Sequence, residues 1–316
     1  MSIMHIACAA DEKYLPHCCA MLHSVISKNR QEKIVVHFTY FPDFPQNKLN
    51  TLSAFISANG AELDVICVRP ETLAGLPSTA ALPSVVWQRV LLPELLPNLT
   101  KILYLDSDLI VLGSLKPLWD LDISSDYVAA VTNPMHEQMA GWPKKIGLPS
   151  SADYFNSGVM LMNLAKMREH GSVEKIFRHA HDHPELIHWG DQCAMSLIFH
   201  EHRYPLHPKW NMMNNFMTHR LGGKVFSDAT IKEALDDPQI VHFEGAHQGK
   251  PWHYLSTHPY RTAYLQHRQQ TPWPLTSLEE RNTFNFVKKH VVPRSLLNLL
   301  RQLRQRARHH KNPVAP

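Results

Sequence analysis

Short apolar runs alternate with longer stretches of helical period along the first third of the chain. Residues 3–8 (IMHIAC), 34–40 (IVVHFTY), 63–68 (LDVICV) and 101–105 (KILYL) are rich in β-branched and aromatic side chains, as buried strands are. Between them, 15–29 and 46–59 repeat apolar positions every three to four residues, and 84–96 does so up to the break that Pro93 imposes. Strands alternating with helices predict an α/β domain whose parallel sheet is covered on both faces. A second block predicts strands at 127–132, 155–164 and 239–243 and helices at 165–182 and 191–200. Residues 205–215 and 270–276, rich in Pro, Trp and Asn, predict loops.

Composition narrows the class. Hydrophobic residues make up 44% and charged residues 19% of 316, enough to bury a core and too few charges for a disordered chain. No uncharged apolar run approaches the roughly 18 residues that a membrane span needs. The start, Met1 to Ala10, lacks a basic leader and runs straight into Asp11, so it predicts a first strand rather than a secretory signal. Five cysteines without a C-x-x-C spacing predict buried thiols in a reducing cytoplasm, not disulfides or a zinc site.

The formal charge of +4 hides an asymmetry. Of the 32 Lys+Arg and 28 Asp+Glu, nine basic and no acidic residues follow Glu280, leaving 23 basic against 28 acidic groups in residues 1–280. Residues 1–280 are therefore read as an acidic α/β domain and 281–316 as a basic helical extension. Within the extension, Leu296, Leu299, Leu300 and Leu303 form one stripe over Ser295 to Arg308, flanked by Arg301, Arg304 and Arg308. A basic amphipathic helix predicts docking on an anionic membrane surface. With only Phe284 and Phe286 as aromatics, the extension lacks the stacking platforms of a nucleic-acid binder, and no nucleic-acid partner is expected.

The strongest chemical signal is Lys101-Ile-Leu-Tyr-Leu-Asp-Ser-Asp108, an apolar strand ending in two carboxylates. Ligands of open α/β sheets sit at the carboxyl ends of strands, and Asp106 and Asp108 there suit a hard divalent cation. The spacing alone is weak, since it recurs at Asp120-Leu-Asp122, in a turn-like setting that predicts surface or capping roles. Two enzyme classes use such a pair: nucleotide-sugar transferases, and haloacid-dehalogenase-type phosphotransferases, which need a later strand-borne acidic pair that only Asp236-Asp237 offers. A non-catalytic glycan-binding domain is the third reading. The cluster His179-Ala-His-Asp-His183 is read as a polar helix end, because positions two apart diverge by roughly 200°. Gly245-Ala-His-Gln-Gly-Lys250 lacks the spacing and the hydroxyl of a P-loop. Trp210 in Pro208-Lys-Trp-Asn211 and Trp273 in Pro272-Trp-Pro274 offer faces for acceptor sugars or for packing.

Several ordered motifs resemble glycosyltransferase family 8, in particular its bacterial lipooligosaccharide and lipopolysaccharide galactosyl- and glucosyltransferases. They are Ala9-Ala-Asp-Glu-Lys-Tyr14, Lys101 to Asp108, Ser114-Leu-Lys-Pro-Leu-Trp119, Tyr154-Phe-Asn-Ser-Gly-Val159, Gly190-Asp-Gln192, and His242-Phe243 followed by Lys250-Pro-Trp-His253. The resemblance implies a GT-A fold, a Rossmann-like mixed sheet flanked by helices. It also implies Mn2+ or Mg2+, UDP-galactose or UDP-glucose as donor, a glycolipid or oligosaccharide acceptor, retention of configuration, and a peripheral place on the inner face of the bacterial cytoplasmic membrane. Carried onto this sequence, it implies Asp11 and Tyr14 at the uracil, Asp106, Asp108 and His242 on the metal, Lys250 on the diphosphate and Arg89 on donor sugar or phosphate. Asn156, Asp191 and Gln192 come to lie around the sugar ring and anomeric carbon. The chain departs from the family at Glu12, at Asn133 and at Cys193, where acidic residues are replaced or exchanged. Gln192 is a poor nucleophile, so the expected chemistry is a front-face transfer rather than a covalent intermediate.

Overall fold

The computed structural model describes residues 3–79, 82–136, 139–217, 225–245 and 247–291. The Leu-rich stripe at Ser295 to Arg308 lies outside them.

Among the described residues, ten strands build two sheets. The larger contains β1 (Ile3–Ala9), β2 (Lys33–Tyr40), β3 (Glu62–Cys67), β4 (Lys101–Leu105), β6 (Val128–Thr132), β7 (Phe155–Asn163) and β8 (Arg203–Pro205), in the order β3-β2-β1-β4-β7-β6-β8. The smaller contains β5 (Leu109–Val111), β9 (Met212–Met213) and β10 (Ile240–His242), in the order β5-β10-β9. The pairs among β1, β2, β3 and β4 are parallel, as strand–helix alternation predicts. Beyond them the sheet turns mixed, because β7 runs antiparallel to both β4 and β6. The parallel expectation thus holds for the first block of strands, and the whole sheet is the mixed one that the resemblance implies. Local periodicity encodes two-sided burial but not the direction of a neighbouring strand.

The sheet divides two cores. On β4, Leu103 and Leu105 enter one and Ile102 and Tyr104 the other, and β7 splits in the same way. The first core is closed by α1 (Leu15–Lys28) and α2 (Gln46–Ala58). The second is closed by α3 (Leu164–Glu169), α4 (Ser172–Asp182) and α5 (Asp191–Phe199). Each large apolar side chain so buried contributes about 1.5–3 kcal/mol.

Several expected elements are cut differently. The helix expected over 165–182 breaks at Gly171, whose φ of +59 suits a residue without a side chain, giving α3 and α4. The helix expected over 84–96 is a 3-10 segment, Ser84–Leu91, followed by one α-turn, Leu92–Leu95, with Pro93 in its first turn. The loop expected over 205–215 holds a 3-10 turn at Pro208–Trp210 and all of β9. Among the described residues, a one-turn helix at Asn214–Met217 is followed by three longer ones: α6 (Asp228–Asp236), α7 (Arg261–Gln269) and α8 (Thr283–His290). All five cysteines are free thiols.

Candidate active site

Strand ends gather the chemistry. Asp106 follows the last residue of β4, and its backbone N–H donates to Gly158 O on β7 at 2.8 Å. Asp108 precedes β5. The register of the small sheet pairs Leu109 with His242, and Phe243 N–H donates to Asp108 O at 2.9 Å. Two short strands thus carry His242 to the carboxylates. Its Nε2 lies 3.2 Å from Asp108 Oδ1 and 3.8 Å from Asp106 Oδ2. Ligand atoms of Asp106, Asp108 and His242 all fall within 4.8 Å of one another, the one such group of three or more among the described residues.

Gly158 forms the floor of this group. A Cβ on it would stand 2.3 Å from His242 Cε1 and 2.6 Å from Asp106 Oδ2. The backbone therefore approaches where any side chain would fill the space between the ligands. Two carboxylates and an imidazole around such a space fit a divalent cation.

Basic groups brace the acids. Lys250 Nζ donates to Asp108 Oδ2. Burial disfavours a charged Asp108, but Lys250 and His242 overcome this and hold its carboxyl far below the usual range. Burial also penalises the charged forms of His242 and Lys250, yet Asp108 raises both pKa values above their ordinary ones. Arg89 donates from Nη1 to Ser157 O at 2.8 Å and lies 3.0 Å from Asp106 Oδ1. Its guanidinium covers the Tyr104 ring at 4.6 Å, and Tyr104 O–H donates to Asp106 Oδ1 at 3.0 Å. Arg89 stays cationic because Asp106 and Asp191 offset its burial.

Asp191 opens α5 after Gly190, whose φ of +61 sets the turn. Burial pushes its carboxyl up to about 6, against the pull of Arg89. Next to it, Gln192 Oε1 accepts from Asn156 Nδ2 and from Ser157 N, both at 3.2 Å, and Gln192 Nε2 donates to Tyr154 Oη at 3.0 Å. Cys193 Sγ sits 3.3 Å from Tyr154 Oη and 3.4 Å from Trp189 N, so the thiol occupies a socket lined by donors.

Asp11 Oδ1 accepts the Tyr14 backbone N–H at 2.7 Å in the turn that leads into α1. The Tyr14 ring meets Trp252 edge-on at 6.3 Å, and Trp252 stacks on His17 at 3.7 Å. Beside Asp11 opens a cavity of about 520 Å³ lined by Ala10, Glu12, Phe41, Phe44 and Lys48, among others.

The structure therefore brings Arg89, Asp106, Asp108, Asn156, Asp191, Gln192, His242 and Lys250 into one connected set, with Asp11 and Tyr14 at its edge. Sequence reasoning missed Tyr104, Gly158 and Asn211. Asn211 fell in a segment read as a loop, and no local signal marked its side chain. The decoys stand elsewhere. Asp120 pairs with Lys116, and Asp122 Oδ1 accepts Ser124 N at 2.9 Å. Asp236 closes α6 and pairs with Lys232 rather than ending a strand. His179 and His183 face each other at 5.1 Å with no third ligand in that group.

The family model described as Glycosyl transferase family 8 matches residues 5–256. General stress protein A of Bacillus subtilis is 28% identical over 86% of this chain and 95% of its own length. Lipopolysaccharide glucosyltransferase WaaO of Escherichia coli is 24% identical over 97% of this chain and 92% of its own. The crystal structure of galactosyltransferase LgtC with donor and acceptor sugar analogues shares the fold, GT-A, at a TM-score of 0.75 and 24% identity, covering 85% of this chain and 96% of that one.

Proposed function

Because the chain belongs to glycosyl transferase family 8, we propose that it transfers a hexose, galactose or glucose, from a UDP-sugar to a hydroxyl of a lipooligosaccharide or related glycan, with a divalent cation held by Asp106, Asp108 and His242. The observation that carries this reading is the three-ligand group over Gly158. The curated relatives named for lipopolysaccharide glucosyl and galactosyl transfer support the choice of sugar and acceptor class.

When bound, the cation supplies Lewis-acid neutralisation of the departing diphosphate. The chain's own groups do the rest. Lys250, which donates to Asp108 Oδ2, would meet the diphosphate as a point charge. Tyr14 and Asp11 take the uracil by stacking and by accepting its N–H. Arg89 and Asp191 hold sugar hydroxyls and phosphate oxygen, and Asn156 and Gln192 line the ring. The bond between the anomeric carbon and the phosphate oxygen breaks with its electron pair leaving on UDP. The acceptor oxygen attacks from the same face, and its proton passes to the departing phosphate oxygen. Gln192 Oε1 is already engaged by two donors, which supports a route without a glycosyl-enzyme bond.

The test is UDP release from UDP-glucose, UDP-galactose, UDP-GlcNAc and UDP-GalNAc with Mn2+, with and without chelator. Release from a hexose donor that stops with chelator is expected. No release from any donor overturns the reading.

The acceptor's lipid brings in the basic extension. Among the described residues no helix is long and apolar enough to cross a membrane. Helix α8 instead rests on Tyr254, with Asn285 buried: Lys289 Nζ donates to Tyr254 O, and His290 Nε2 meets Tyr254 Oη, both at 3.1 Å. Phe284, Val287 and Val291, at i, i+3 and i+7, share the outer face and are exposed, with Lys288 beside them. This arrangement supports docking of residues 281–316 on an anionic leaflet. Binding to phosphatidylglycerol vesicles, absent with phosphatidylcholine and weakened by salt, should drop when Phe284→Ser and Val291→Ser are combined, while donor hydrolysis persists. Undiminished vesicle binding overturns this part alone.

A further inference from the structure

A metal-binding histidine must keep one ring nitrogen free of a proton, and which one is decided by the partner of the other. Here that partner is Asn211, which is fully buried. The polarity of its amide follows from a group that has no choice. The Gly158 backbone N–H can only donate, and it meets Asn156 Oδ1 at 3.0 Å, so that atom is the oxygen of the amide. The same oxygen lies 2.8 Å from Asn211 Nδ2, so Asn211 presents its NH2 there. Its oxygen is consequently turned to His242 Nδ1, at 3.0 Å. An amide oxygen only accepts, so His242 Nδ1 must carry the proton. Nε2 is left on the side of Asp106 and Asp108.

We propose that Asn211 is a positioning residue: reading its polarity from the Gly158 backbone through Asn156, it fixes His242 as the Nδ1–H tautomer and commits Nε2 to the cation. The inference rests on the metal reading given above. It also explains why the Asn156 amide cannot turn over, since its Nδ2 is thereby directed at Gln192 Oε1. One backbone N–H orders the metal side and the sugar side of the site together, and both are buried where a reversed amide would leave donors facing donors.

The test measures Mn2+ binding itself, by the loss of the free-ion electron paramagnetic resonance signal on titration. Removing an outer partner of a metal ligand typically weakens affinity 10–100-fold, and Asn211→Leu, similar in volume but without an acceptor, should show a loss of about this size. Asn211→Asp keeps an acceptor for Nδ1–H and should hold Mn2+ within about threefold of the parent chain. Its second oxygen then opposes Asn156 Oδ1, so its donor KM should rise instead. Long-range proton–nitrogen correlation of the Mg2+-loaded parent chain, which needs no variant, should show His242 protonated at Nδ1. A parent protein that binds no Mn2+ would remove the metal reading. A parent that binds Mn2+ while Asn211→Leu binds equally well, Asn211→Asp failing as badly as Asn211→Leu, or an Nε2–H tautomer in the loaded parent, each overturns the positioning role and leaves the metal reading standing.

Discussion

Asp191 Oδ2 stands 3.1 Å from Arg89 Nε yet accepts no hydrogen bond there, because that N–H is given to Val86 O at 2.9 Å. A buried carboxylate oxygen is thus held by charge alone, with its lone pairs unspent. Such an oxygen is costly to bury and ready for a hydroxyl donor. Its carboxyl, pushed up to about 6 by burial, sits near neutrality for the same reason.

The Asp191→Asn change should therefore separate stability from function. The folded value lies above the unfolded Asp value, so stability from this group is greatest at low pH and is lost as pH rises through about 6. At pH 8 the variant should be more stable by about 2 kcal/mol in urea unfolding. Donor kcat/KM should fall about 100-fold, near 2.7 kcal/mol, and the acid limb near pH 6 should vanish from its pH profile.

Asp108 serves as both ligand and counter-ion. With no cation bound, Asp108→Asn leaves Lys250 buried without its main partner. Breaking such a pair costs roughly 3 kcal/mol, visible as a lower Tm of the metal-free protein. The carboxyl is held far below its usual range, so this stability exists above the ordinary Asp value and fades as pH falls below about 4. A Tm equal to the parent's at pH 7 would contradict the pairing.

Gly158 tests the geometry most directly. In Gly158→Ala the new Cβ meets His242 Cε1 at 2.3 Å on a central strand that cannot shift freely. Mn2+ affinity should fall at least about 10-fold, as losses of ligand placement do, with calorimetry as the readout. Unchanged affinity would mean that the ion sits elsewhere.

His258 sets acid sensitivity. It is buried against the Phe243 ring at 4.8 Å, its Nε2 has no partner, and burial lowers its pKa to about 4. The neutral form contributes stability above pH 6.5 that is lost as pH falls from there toward about 4. His258→Phe should remove roughly 2 kcal/mol of the stability difference between pH 7 and pH 4 in urea titrations.

The acid pair at the end of β4 was legible in the sequence, because a strand end is a local event: an apolar run stops and two carboxylates begin. The alternation around it likewise gave an α/β chain, since the period of burial is written residue by residue. The family motifs named His242 and Lys250, though the residues alone said only that one ends an apolar strand and the other follows a glycine turn. Tertiary structure decided what these residues meet. The antiparallel course of β7, the pairing of β5 with β10 that carries His242 to Asp108 across 134 positions, and the Asn156–Asn211 link come from packing between distant segments. Hydrogen-bond polarity is the clearest case. Any asparagine can donate or accept, and only the fixed direction of a backbone N–H brought against it in the folded chain removes the choice.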